Sequence, residues 1–129
     1  AFEQVEVRVD GDPARALGDA ELLKIVFVNL LVNAAHAMQG RGTIHVSLAS
    51  IADMCQIAFT DEGPGIPADV LEKIFTPFFT TKARGSGLGL PTVRRLIEAH
   101  HGTISIACPS VGGTVVTVQL PGERLTVVM

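Results

Sequence analysis

From Asp61 to Gly89 the chain is dominated by glycine, proline and threonine, with one short helical piece predicted around Ala68 to Lys73. Connections inside a compact domain usually run about 4–6 residues, and a segment this long between periodic elements is usually functional. The framework must therefore be built from what flanks it. With 129 residues, 47% of them apolar, the chain fits one compact domain and leaves little room for a second.

The flanks read clearly. Glu3 to Val9 alternates apolar and polar residues and predicts a strand. Asp19 is suited to a helix N-cap, and an apolar-periodic helix follows from Ala20 to about Gln39, stopped by Gly40 and Gly42. Thr43 to Ile51 alternates again with Ile44, Val46 and Leu48 on one face, and Met54 to Thr60 is its natural hairpin partner. Beyond the long segment, Leu90 to His101 predicts a helix with Pro91 in its first turn. Thr103 to Ala107 and Gly113 to Leu120 then form a second hairpin. Strand, helix, hairpin, loop, helix, hairpin is the order of an α+β fold, a two-layer α/β sandwich.

Charge and composition remove several classes of function. The net charge of −3 gives no basic stripe for nucleic acid, and a bound polyanion would need locally placed cations. Cys55 and Cys108 sit in strand-like apolar runs and read as free thiols in a reducing cytoplasm. The most apolar stretch, Ile25 to Met38, is interrupted by Asn29, Asn33 and His36, too short and too polar to span a bilayer. No signal peptide precedes it, although a longer parent protein could be membrane-anchored elsewhere.

Chemistry-bearing residues fall in four clusters. On the first helix, Asn29, Asn33 and His36 share an arc of about 60°. Their neutral amide oxygens suit Mg²⁺ that keeps its waters and phosphate ligands; hydrogen bonding to loop backbone is the alternative. Asp61-Glu62-Gly63-Pro64-Gly65-Ile66 follows a strand directly. A strand-terminal carboxylate there can accept from the exocyclic amine of adenine and would repel the guanine carbonyl, while Gly63 and Gly65 permit close backbone approach. A plain Asx-type turn is the competing reading. Phe75, Phe78 and Phe79 beside Thr80, Thr81 and Lys82 fit a lid or an apolar contact, with Lys82 able to reach a terminal phosphate. Gly85-Ser86-Gly87-Leu88-Gly89-Leu90 opens a helix, where exposed N–H groups and the helix dipole favour phosphate.

Familiar nucleotide motifs are absent. Leu90 stands where the dinucleotide fingerprint needs glycine, and neither a Walker loop nor the H-R-D and D-F-G kinase sets occur. His45 points away from the apolar face of its strand and reads as a surface residue. His100 and His101 lie near a helix C-terminus, where partial positive charge is favourable, and read as structural residues. No Cys/His spacing suggests zinc, and no serine, histidine and acid set suggests a hydrolase.

Taken in order, these clusters resemble the ATPase domain shared by histidine kinases, DNA gyrase, the ninety-kilodalton heat-shock chaperone and the mismatch-repair ATPases. The histidine kinase branch fits best. Its asparagine box resembles Asn29 through Met38, its first glycine box Asp61 to Ile66, and its phenylalanine box Phe75 to Lys82. Its second glycine box is similar to Gly85 to Leu90, and its closing strand to Gly112-Gly113-Thr114 through Pro121. The resemblance implies a Bergerat-type fold: a mixed, mostly antiparallel sheet covered on one face by about three helices, with a lid over about residues 67–88. It also implies ATP and Mg²⁺ as ligands. Asn33 would hold the metal with support from Asn29, and Asp61 would bind adenine with Gly63, Gly65, Ile66 and Thr114 shaping its pocket. Gly85, Ser86, Gly87, Leu88 and Gly89 would hold the phosphates, with Phe75, Lys82 and His36 near the nucleotide. Asn29, Asn33 and Lys82 would be the catalytic set.

One substitution separates the branches. Hydrolysing relatives carry a water-activating glutamate four residues before the metal asparagine, where this chain has Asn29. Without that base the γ-phosphoryl is kept for a protein nucleophile, expected to be a histidine on a separate dimerisation domain. A response regulator would receive it next. None of His36, His45, His100 or His101 has the acid and proline neighbours of that acceptor. The isolated chain is therefore expected to be a monomer that binds ATP without phosphorylating itself, within a homodimeric parent that uses no nucleic acid. The rival readings are a serine kinase or ATPase of the same superfamily and a non-catalytic ATP-sensing module.

Overall fold

The computed structural model of the chain describes residues 4–11, 16–67, 69, 73, 89–109 and 112–122. Most of the predicted lid, with Phe75, Lys82, Gly85, Ser86, Gly87 and Leu88, lies outside the described residues, as does the apolar segment Leu125 to Met129. Five strands form one sheet: β1 (Gln4–Gly11), β2 (Arg41–Ile51), β3 (Met54–Asp61), β4 (Thr103–Ala107) and β5 (Thr114–Pro121). Their order is β1-β2-β3-β5-β4. Two helices are described, α1 (Ala20–Ala37) and α2 (Gly89–Ala99).

β1 and β2 run parallel, and the other three neighbouring pairs are antiparallel. Parallel neighbours cannot be joined by a tight turn, and α1 supplies the crossover between them. The sheet is thus mixed and mostly antiparallel, as the resemblance implied. Both predicted hairpins are present. The pairing of β3 with β5, which sets Asp61 opposite Thr114, is the long-range contact that closes the sheet across the long segment.

Local chemistry sets the helix ends. Asp19 Oδ1 accepts the N–H groups of Glu21 at 2.9 Å and Leu22 at 3.2 Å, an N-cap satisfying two otherwise unpaired donors. At the other end Gln39 and Gly40 turn left-handed, with φ of 57° and 77°, and Gly40 N–H reaches back to the Ala35 carbonyl at 2.9 Å. That closing turn ends α1 at Ala37, two residues before the sequence-based boundary.

One face of the sheet carries the core. Ile44 and Val46 of β2, Cys55, Ile57 and Phe59 of β3, and Val118 and Leu120 of β5 are buried in alternation, as period-2 patterning requires. α1 covers them with Leu23, Val26, Leu30 and Ala34, spaced three or four apart, and α2 adds Val93 and Ile97. The rings of Phe27 and Phe59 meet at 6.0 Å. Burying each such aliphatic side chain contributes about 1.5–3 kcal/mol. Ile25 to Met38 reads from sequence as too short and too polar for a membrane span, yet the full helix α1 is long and apolar enough for one by length and composition; here its apolar stripe packs on the sheet.

One sequence reading needs adjustment. His45 lies on the helix-free face as expected, yet between Arg8 and Thr60 it is half-buried instead of fully exposed. His100 has the structural role expected of it, between the two helices. Its Nε2 accepts the Asp19 N–H at 3.0 Å while Nδ1 donates to the Leu96 carbonyl at 2.7 Å. These two bonds tie the N-cap of α1 to the end of α2. His100→Ala is expected to cost about 1–2 kcal/mol of stability, read as a lower urea midpoint at unchanged slope.

Candidate nucleotide-binding site

Of the described site residues, Asp61, Gly63, Gly65, Ile66 and Thr114 gather at one end of the sheet, where β3 finishes and β5 begins. Asp61 closes β3 and is only 7% exposed. A bare carboxylate at that depth needs donors. Oδ1 accepts the Gly63 N–H at 2.8 Å, and the Thr114 N–H adds a second backbone hydrogen bond. Burial pushes the carboxyl pKa up, and those two N–H groups offset part of the rise. Thr114 itself is 5% exposed.

The glycines around Asp61 are there for space. Gly113 has a φ of 83°, and a Cβ placed on it would sit 2.4 Å from the Asp61 carbonyl oxygen. At Gly63 a Cβ would lie 3.0 Å from the Ala37 carbonyl oxygen, so this turn is drawn against the C-terminal end of α1. Gly65 takes a φ of 85° beside Gly113 and Cys108. The Ile66 N–H donates to Cys108 Sγ at 3.2 Å, and that sulfur is 4.0 Å from Thr114 Oγ1. Asp61, Gly63, Gly65, Ile66 and Thr114 are therefore brought together in one cluster.

The second group is carried by α1. Gly89, the first residue of α2, lies against Asn33: a Cβ on that glycine would be 3.4 Å from Asn33 Nδ2. A helix N-terminus and an amide thus face the same space, a juxtaposition that favours anions. His36 is exposed one turn further on. Asn29 donates from Nδ2 to the Ile25 carbonyl of its own helix at 2.8 Å, a bond that engages only its donor side. The apolar surroundings expected for these amides are also more open than foreseen, since Ile25 and Val28 are 47% and 50% exposed.

Three residues of the cluster had not been singled out as site residues. Glu62 reaches from the Asp61 loop to accept the Thr43 N–H at 2.8 Å. Cys108 caps Ile66, and Gly113 makes room for Asp61. Only the last left a signal, the glycine pair before Thr114.

Comparison with known proteins places this geometry. Residues 18–124 match the family model for the histidine kinase-, DNA gyrase B-, and HSP90-like ATPase. The chain belongs to this family. Within the histidine kinase-, DNA gyrase B-, and HSP90-like ATPase family it is similar to the sensor histidine kinase ZraS of Escherichia coli K12, 44% identical over 103 residues, covering 80% of this chain and 22% of that protein. Sporulation kinase B of Bacillus subtilis is 36% identical over 124 residues, covering 95% of this chain and 29% of its own length. The chain thus spans less than a third of these curated relatives. Among solved structures it superposes on the mycobacterial sensor histidine kinase MprB with a TM-score of 0.84 at 32% identity, covering 96% of this chain and 86% of that one. The catalytic domain of histidine kinase ThkA follows with a TM-score of 0.83 at 33% identity, covering 92% of this chain and 79% of that one. An α+β sandwich with a five-stranded mixed sheet is the architecture these domains share with the present chain.

Proposed function

We propose that this chain is the ATP-binding catalytic domain of a two-component sensor histidine kinase, passing the ATP γ-phosphoryl to a histidine on a separate dimerisation domain. The observation that carries this reading is the pairing of two unlike groups at one end of the sheet. Asp61 is a buried carboxylate held by two backbone N–H groups, and Asn33 is an amide facing the N-terminus of α2. The first suits the exocyclic amine of adenine, and the second suits a triphosphate.

The residues fit a divalent cation of a particular kind. Among the described residues no group of three His, Cys, Asp or Glu side chains can cage a metal. Asn33, and Asn29 through its Oδ1, offer neutral oxygens, so a cation held here keeps mostly phosphate and water ligands, the coordination Mg²⁺ favours. When bound, Mg²⁺ would neutralise triphosphate charge. The protein's own work is positioning: Asp61 orients the base, and the N–H groups at the start of α2, with Lys82 and the glycines from Gly85 to Gly89, hold the phosphates. Asn29 has no basic side chain with which to activate water, which favours a protein acceptor over hydrolysis. The activity belongs in a reducing cytoplasm, with a response regulator downstream and a homodimeric parent.

Mixing experiments test this. Incubated alone with γ-labelled ATP, the chain is expected to gain no acid-labile, base-stable label and to hydrolyse ATP slowly. Adding a dimerisation domain that carries the acceptor histidine is expected to put label on that domain. Phosphohistidine on the isolated chain, or rapid steady-state hydrolysis, would contradict the assignment. Binding of ATP with no transfer to any acceptor domain would favour a nucleotide-sensing module.

A further inference from the structure

The loop that presents Asp61 is fastened at both ends by side chains that have no part in the contacts proposed for the nucleotide. Just after Asp61, Glu62 turns away and its Oε1 accepts the Thr43 N–H at 2.8 Å. This bond crosses to the start of β2, the segment that follows the end of α1. Gly42 leaves room for it, since a Cβ there would lie 3.0 Å from the same carboxylate oxygen and 2.9 Å from Met38 Sδ. Four residues later the Ile66 N–H donates to Cys108 Sγ at 3.2 Å, crossing to the end of β4. Between the fasteners lie Gly63, bonded to Asp61, and Gly65 at a φ of 85°. A loop with two glycines and Pro64 has few contacts of its own to define its path.

Building on the nucleotide-site reading above, we infer that Glu62 and Cys108 are positioning residues of the base pocket: together they fix both ends of the 62–66 loop, and so the aim of the Asp61 carboxylate and the width available to a purine. Each acts through backbone and touches neither the base nor the phosphates. Glu62 supplies an ionised acceptor, the stronger kind, whereas the sulfur is a weak one whose value lies in its placement. Loosening either end lets the Gly63–Ile66 backbone move while β3, β5 and the core stay as they are.

Paired substitutions in the full chain separate positioning from mere folding. Glu62→Gln and Cys108→Ser keep an acceptor atom; Glu62→Ala and Cys108→Ala remove it. ATP and GTP titrations are expected to show about 3–10-fold weaker ATP binding for each alanine variant. The ATP-to-GTP preference should narrow with it, and the Gln and Ser variants should stay within about twofold of wild type. Amide hydrogen exchange, measured without nucleotide, is expected to quicken at Thr43 in Glu62→Ala and at Ile66 in Cys108→Ala, while amides of β5 keep their protection. Unchanged exchange at those two amides would overturn the clamp whatever the nucleotide does. Faster exchange with undiminished ATP binding would overturn its role in the pocket. Failure of the wild-type chain to bind ATP at all would instead sink the functional reading beneath it.

Discussion

Asp61→Ala is expected to weaken ATP binding by about 10–100-fold, the value of one charge-assisted hydrogen bond, and to leave ATP and GTP with nearly equal affinities. The fold should survive, because the remaining sheet contacts of β3 are backbone bonds and the apolar core lies on Ile57 and Phe59. Isothermal titration with both nucleotides, beside a circular dichroism spectrum, reads this directly; an intact preference for ATP in the variant would remove Asp61 from base recognition. Asp61→Asn adds a pH test. Because burial raises the folded-state pKa of this carboxyl, the folded chain holds the proton more tightly than the unfolded chain. The stabilisation from that proton is complete below the ordinary carboxylate pKa of about 4 and is lost as pH rises through the raised folded value. At neutral pH the wild type therefore bears the cost of a buried charge that the asparagine variant lacks. The melting temperature of Asp61→Asn relative to wild type should be highest near neutrality and fall as the pH approaches about 4. A difference that stays constant across that range would mean the carboxyl is not desolvated.

The second large effect is expected at Asn33. Asn33→Ala should lower phosphoryl transfer to an added acceptor domain by about 10²–10³-fold, the scale on which losing one preorganised electrostatic group acts. The binding signature is more selective. Affinity for ATP in the presence of Mg²⁺ should fall toward the value measured with a chelator, while the metal-free affinity of the variant stays close to that of wild type. Equal losses with and without Mg²⁺ would instead assign Asn33 to packing against Gly89. Asn33 is half-buried at the start of α2, so the melting temperature of the variant belongs beside the kinetic result.

Much of this was legible in the residues because local rules set it. Asp19 announces its helix by the side-chain oxygen that caps it, and Ile44, Val46 and Leu48 announce their strand by alternation. The Asp61 segment stands out only through the resemblance, since alone a carboxylate followed by Gly63 and Gly65 reads equally as an Asx-type turn. What escaped was non-local. Nothing in the periodicity of β3 says that it pairs with β5 as well as β2, yet that pairing brings Thr114 to Asp61. Glu62 looks like any loop acid until the Thr43 N–H appears beside it. His100 reads as structural, but its partner, the Asp19 N–H that uses its Nε2, is remote in sequence and could not be named. Asn29 reads as supporting a metal or bonding loop backbone, and the bond its Nδ2 makes to the Ile25 carbonyl is one that any helix can offer and no pattern announces.

The antiparallel seam between β3 and β5 has one more implication. It fastens the chain on the near side of the long glycine-rich segment, and the contact of Gly89 with Asn33 fastens the far side. Because the Thr114 N–H bonds the Asp61 carboxylate across this seam, any shift of β5 is carried to that carboxylate, and the two strands hold it as one unit.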